Sequence, residues 1–234
     1  MHIAFLDTNT DRSPFAARHP SEVDKFRALL EPAAPGWTYA DFRTTEGAFP
    51  QTLAGIDGVM ISGSPASVNS GAPWVARLEE TIRNAVASGI PVFGACFGHQ
   101  AVARALGGTV AKNPQGWVLG RIETDNHSPA PWMGTAPSRM SLHAAHKEQV
   151  TALPRGGVAL AGTAQVPNGH VTVGPKVFTT QYHPELSRAF MAELIDEMAP
   201  DLPPDLARTA RESLKDSTDE RLMAQWIARF VGGA

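Results

Sequence analysis

The segment Ile90-Pro91-Val92-Phe93-Gly94-Ala95-Cys96-Phe97-Gly98-His99-Gln100 runs from an apolar, β-like stretch through a glycine-flanked corner into the helix-like run Ala101 to Leu106. A chain that turns from strand to helix so abruptly needs a helix packed back on its own strand, the building unit of α/β folds. The corner also carries the only cysteine of the chain. A tight turn flanked by small residues pushes its apical side chain out of the fold, as in the nucleophile elbow of G-x-S-x-G enzymes. At a helix start, unpaired N–H groups and the positive end of the helix dipole favour the thiolate over the thiol.

The rest of the 234-residue chain fits that unit. Alternation of short apolar runs and amphipathic stretches predicts strands near 2–7, 37–42, 57–61 and 90–94, with helices near 21–31 and 73–88. This pattern implies an open, twisted, mostly parallel sheet with helices on both faces. After the elbow helix, shorter runs near 109–112, 117–124, 139–144, 158–163 and 170–181 read as antiparallel and hairpin-like, adding a small antiparallel sheet. Helical character returns at 189–198 and 218–230, with Pro200-Asp201-Leu202-Pro203-Pro204 marking a break between helices. The expected organisation is one domain over 1–234, with the helices from about 187 packed on it. In open parallel sheets sites form outside the carboxyl ends of the strands, where Gly63, Cys96 and His183 fall.

A thiolate needs a proton acceptor, and the run Val177 to Tyr182 ends in His183-Pro184-Glu185. Residues two apart on extended backbone project to the same side. Glu185 can therefore fix the tautomer and orientation of His183 while the other ring nitrogen takes the thiol proton. Pro184 stiffens the link between them.

Taken together, Gly-Ala-Cys-Phe-Gly-His-Gln at 94–100 and Gln-Tyr-His-Pro-Glu at 181–185 resemble the class I, triad-type glutamine amidotransferases. Gly58-Val59-Met60-Ile61-Ser62-Gly63-Ser64-Pro65-Ala66-Ser67-Val68 resembles that family's oxyanion strand and loop, and Ala145-His146-Lys147-Glu148-Gln149-Val150-Thr151-Ala152-Leu153-Pro154 its His-x-Asp-x-Val segment. The resemblance implies a flavodoxin-like sheet, Cys96 as nucleophile, His183 as general base and then acid, and Glu185 as orienter. It further implies Gly63 and Phe97 as backbone donors to the oxyanion, and Gln100, Ser64 and His146 as substrate-binding residues. The reaction implied is hydrolysis of the γ-amide of glutamine to glutamate and ammonia through a γ-glutamyl thioester, with a separate ammonia-accepting synthetase as possible partner. The alternative is a γ-glutamyl peptidase or hydrolase acting on γ-glutamyl peptides or amines; a non-catalytic regulatory module is a third. The chain departs from the family pattern at Glu148, where the aspartate stands, and at Ala145, where biosynthetic members often carry serine. Phe97 after the nucleophile is similar to stand-alone members, γ-glutamyl peptidases among them.

Composition bounds the rest. A net charge of −3 with 20 scattered basic residues implies no nucleic-acid footprint and no membrane-surface patch. No P-loop pattern is present, and His143, His146 and Glu148 lack the H-E-x-x-H spacing, so neither a nucleotide, another cofactor nor a metal is expected. One cysteine excludes an internal disulfide, and no apolar run approaches the ~20 residues of a membrane span. The N-terminal run reads as a strand, and the expected setting is cytoplasmic, where Cys96 stays reduced.

Overall fold

The computed structural model describes residues 1–233. Its centre is a mixed, nine-stranded sheet whose parallel half consists of β1 (His2–Asp7), β2 (Thr38–Arg43), β3 (Gly58–Ile61), β4 (Val92–Ala95) and β11 (Val177–Thr180), in the order β2-β1-β3-β4-β11. The antiparallel half continues from β11 through β10 (His170–Val173), β9 (Gly157–Gly162), β6 (Val118–Asn126) and β7 (Arg139–His146). A separate two-stranded sheet pairs β5 (Thr109–Lys112) with β8 (Glu148–Ala152).

Period-two patterning puts alternate residues of the parallel strands on opposite faces, and both faces are apolar, as strands covered on two sides require. Ile3, Phe5, Met60, Phe93 and Phe178 face one way, against α1 (Glu22–Leu30) and α6 (Glu220–Gly232). Ala4, Leu6, Val59, Ile61, Val92 and Val177 face the other, against α2 (Pro73–Ala87) and α3 (Phe97–Ala105). Aromatic rings run through the first layer from Phe26 to Phe93, Phe178 and Phe230, with Trp132 tilted against Phe178. A third apolar cluster joins Leu119 of β6 to Met191 and Ile195 of α4 (Arg188–Met198) and Ala210 of α5 (Pro204–Ser213).

Three features differ from the sequence expectation. The run near 170–181 is two strands, split by a turn at Gly174 with φ +57°, and its second half crosses to pair in parallel with β4. Most of the antiparallel runs extend the main sheet, and the small separate sheet uses β8, which lies inside the motif segment at 145–154. The Pro-rich break is real but short: a single 3-10 turn at Ala199–Asp201 leads into α5, which starts on Pro204, a first-turn position that tolerates the missing N–H.

The corner between β4 and α3 is set by backbone-to-backbone packing. A Cβ on Gly94 would lie 2.6 Å from the Gly98 carbonyl carbon, and one on Gly98 would lie 2.5 Å from the Ile61 carbonyl oxygen. Neither neighbour is a side chain that can swing away. Gly94→Ala or Gly98→Ala is therefore expected to destabilise the fold by about 2 kcal/mol or more, the upper part of the overpacking range. The urea unfolding midpoint measures it; an unchanged midpoint in both variants would show that the helix does not sit on the strand at this distance.

Candidate active site

Cys96 caps the start of α3 with φ 49° and ψ −102°, the sole positive φ outside glycine among the described residues. Such a conformation costs of order 1–3 kcal/mol and persists only when the surroundings impose it. Here the impositions are visible: the Cys96 N–H donates to the Thr180 carbonyl (2.8 Å), and the Gly98 N–H donates to the Ser62 carbonyl (3.1 Å). The turn is thus clamped between its two neighbouring strands. The thiol is 4% exposed and opens on a cleft of about 470 Å³ that Gly63, Ser64, His183 and Glu185 also line.

His183 follows the end of β11, and its N–H donates to the His143 carbonyl of β7 (2.8 Å). Its Nδ1 lies 2.6 Å from Glu185 Oε1, and both side chains are buried. Burial works against the imidazolium, but the Glu185 carboxylate and the Cys96 sulfur outweigh it and hold the His183 pKa well above the ordinary value. With Nδ1 committed to the carboxylate, Nε2 is the nitrogen left for the thiol. Gly63 is the reason the ring fits: a Cβ there would lie 2.7 Å from His183 Cε1 and 3.7 Å from the Cys96 Cβ.

The peptide at Gly63 is fixed from behind. The Thr8 N–H donates to Ser62 Oγ (2.9 Å), and the Thr8 hydroxyl lies 2.9 Å from the Ser62 carbonyl and 3.2 Å from that of Gly63. The Ser62 carbonyl, which shares its peptide with the Gly63 N–H, is thus held by Thr8 and by the Gly98 N–H, and Gly63 lines the cleft; Phe97 stands at the first position of α3, where helical N–H groups have no partner within the helix. The following loop is tied down as well, because Ser67 Oγ donates to Glu148 Oε2 (2.7 Å) and Asn69 Nδ2 to the Val110 carbonyl (3.1 Å). Thr8 was invisible in sequence, since it acts across a long stretch of chain and sits in no motif; Ser67 lies in the loop that resembles the family's oxyanion segment, but its contact with Glu148, distant along the chain, was not legible there.

Two residues expected in the substrate set point elsewhere. Gln100 is 4% exposed, and its Nε2 donates to the Glu148 carbonyl (2.8 Å) and to Gln181 Oε1 (3.3 Å). His146 donates through Nδ1 to the same carbonyl (3.0 Å), which fixes its tautomer. Neither lines the cleft, because β8 closes over them. Ser64 does line it. His99 is turned away from the thiol, with Nδ1 2.8 Å from Thr179 Oγ1.

The far wall of the cleft is apolar and comes from parts of the chain without motifs: Phe15, Trp117, Leu186, Phe190, Leu194 and Met198. Lys25 is the lining ammonium, and it is spoken for, 2.7 Å from Glu22 Oε1 and 4.2 Å from the Phe190 ring centroid. Burial raises the Glu22 pKa and Lys25 partly offsets it. Asp11, Glu197 and Asp201 add carboxylates toward the mouth.

Burial also keeps three histidines behind the site neutral, lowering His99 and His170 to about 3 and His146 to about 4. The unfolded chain, whose imidazoles titrate near 6.5, takes up protons that these folded sites refuse. Stability is therefore expected to fall as the pH drops below about 6.5 and to go on falling toward 4. His183, with its raised value, contributes in the opposite sense: its stabilisation is present below 6.5 and is lost as the pH rises through its folded pKa. Urea midpoints across pH 4–8 test this, with His99→Gln expected to flatten the acid slope; a flat profile in the parent would contradict neutral burial.

The comparisons fall in line with this geometry. The model of the family "Glutamine amidotransferase class-I" matches residues 36–195, well over half of the chain. Gamma-glutamyl peptidase 3 of Arabidopsis thaliana is 27% identical over 203 residues, 82% of each protein. Gamma-glutamyl-L-1-hydroxyisopropylamide hydrolase of a Pseudomonas species is 29% identical, covering 100% of this chain and 82% of its own length. A glutamine amidotransferase of Methylobacillus flagellatus superposes with a TM-score of 0.76 at 20% identity, over 99% of this chain and 94% of its own, a likeness of fold. Among the described residues no helix is long and apolar enough to cross a membrane. With the family model, the relatives and the sheet in agreement, the chain belongs to the class I glutamine amidotransferases.

Proposed function

We propose that the protein hydrolyses γ-glutamyl amides, with leaving groups larger than ammonia, through a thioester on Cys96. The observation that carries this reading is the 2.6 Å His183–Glu185 pair facing, with Cys96, a cleft of about 470 Å³ whose far wall is apolar. A cleft of that size takes ligands well beyond a single amino acid. The names of the two curated relatives, a peptidase and an amide hydrolase, both imply such leaving groups.

In this mechanism Cys96 Sγ attacks the γ-carbonyl, and the N–H groups of Gly63 and Phe97 receive the oxyanion. His183, held by Glu185, protonates the departing amine; it then takes a proton from water, which attacks the thioester and releases glutamate and the free thiol. Water is the final acceptor, so the cycle closes without a synthetase. With glutamine in the same site the leaving group is ammonia, and the apolar wall stays unused.

The charge around the cleft sets a further expectation. Among the described residues Asp11, Glu197 and Asp201 have no cationic partner while the ammonium of Lys25 is paired, so leaving amines without a carboxylate suit the cleft better than amino-acid leaving groups. On a panel of glutamine, γ-glutamylglycine, γ-glutamylglutamate and γ-glutamyl-isopropylamide, the isopropylamide is expected to lead glutamine by about tenfold or more in kcat/KM. Release of ammonia from glutamine with silence on the others would replace this reading by that of a glutaminase. Cys96→Ala is expected to abolish turnover, and full activity in that variant would sink the mechanism. Gly63→Ala, whose methyl group lands on the His183 ring, is expected to lower kcat by a factor of about 100 while the urea midpoint holds.

A further inference from the structure

Behind the thiol, two glutamines form a chain that the mechanism above does not use. Gln181 is fully buried just beyond β11, two residues before His183, and its N–H donates to the Gly169 carbonyl (2.8 Å), which fixes its backbone. Its side-chain amide spans the space between Gln100 and the nucleophile. Oε1 accepts from Gln100 Nε2 (3.3 Å), and Nε2 lies 3.7 Å from Cys96 Sγ, within reach of a hydrogen bond to sulfur. Gln100 Nε2 places its other proton on the Glu148 carbonyl (2.8 Å).

The direction of this chain is forced. The Glu148 carbonyl can only accept, so the Gln100 group facing it is the NH₂ end, and the same NH₂ faces Gln181. Gln181 must then present oxygen to Gln100 and its own NH₂ to the sulfur. A flip of the Gln181 amide would set two NH₂ groups against each other and leave the sulfur facing a carbonyl oxygen. In surroundings this dry, an arrangement of that kind is costly, and the chain holds one orientation.

We propose that Gln181 is a catalytic hydrogen-bond donor to the Cys96 thiolate, and that Gln100 is the positioning residue that keeps its amide pointed there. A donor fixed on the sulfur favours the charged form over the neutral thiol. It also holds the side chain at the apex of a strained turn, so that the reacting atom does not wander from His183. Gln100 thereby acts from behind the nucleophile, where the family resemblance had placed it on the amino-acid end of the substrate. The inference rests on Cys96 being the nucleophile of the proposed reaction, and its test uses no substrate.

The rate of Cys96 alkylation by iodoacetamide is measured from pH 4 to 10 in the parent and in Gln181→Met, Gln181→Glu, Gln100→Met and the double methionine variant. The profile reports the coupled Cys96–His183 pair. Its midpoint is expected to rise by about one pH unit in Gln181→Met, and further in Gln181→Glu, whose carboxylate faces the thiolate. Gln100→Met is expected to give part of the rise, and the double variant no more than Gln181→Met alone, the non-additivity of a residue acting through another. A Gln181→Met midpoint within about 0.2 unit of the parent, in protein with an unchanged near-ultraviolet dichroism spectrum, would overturn the proposal. In the native chain labelled with ¹⁵N-glutamine, the Gln181 side-chain amide protons are expected to shift with the titration of Cys96 and to lose that response in Cys96→Ala. Indifference of those resonances would overturn it equally, whatever the variants do. A protein that shows the alkylation shift yet cleaves no γ-glutamyl amide would refute the proposed function alone.

Discussion

The contact between the backbones of β4, β3 and the first turn of α3 is the constraint from which the site follows. Because Gly94 and Gly98 lack side chains, the helix starts directly against its strand and against Ile61, closer than any Cβ permits. That closeness forces the intervening residue into a positive φ, and the residue there is Cys96. Move the helix outward by the width of a methyl group and the turn can relax, the thiol withdraws, and the N–H groups of the first turn lose their aim. The strain at one residue is thus maintained by packing spread over three elements, which is how folds sustain unfavourable local conformations.

Much of the site was legible because its chemistry is carried by short, local patterns. The corner at 94–98 is written in glycine spacing, and the His183–Glu185 pair in the two-residue period of extended backbone, which the 2.6 Å contact bears out. The parallel half of the sheet was equally plain, since strands buried on both faces are continuous apolar runs. The directions of Gln100 and His146 were not legible. A helix places Gln100 one turn from Cys96, but whether its amide meets a ligand or the Glu148 carbonyl depends on β8, a strand whose alternation is hidden by polar residues. The crossing of β11 was hidden likewise: Val177 to Thr180 reads as the second arm of a hairpin, and only the tertiary pairing with Val92 to Ala95 reveals it as the partner of the elbow strand.

The cleft divides according to what each wall must do. The wall that carries the thiol is built from regular elements and pinned loops, with hydrogen bonds from Thr8, Ser67 and Asn69 holding the peptides in place. The opposite wall comes from α4, the approach to β6 and the segment around Phe15, and it contributes apolar surface. In the proposed reaction the chemistry sits on the pinned side and the leaving group meets the apolar one.

The pairing of β4 with β11 has a consequence for the moment at which Cys96 meets His183. The sulfur leaves the ribosome well before the imidazole proposed to activate it, and the two meet only when β11 docks beside the elbow strand and the Thr180 carbonyl takes up the Cys96 N–H. Contacts so distant along the chain form late, after local helices and hairpins have closed. A nascent or partly folded copy therefore carries a cysteine still apart from its imidazole. On the proposed mechanism, competence arrives late in folding, and any lesion that keeps the sheet from closing withholds it at the same stroke.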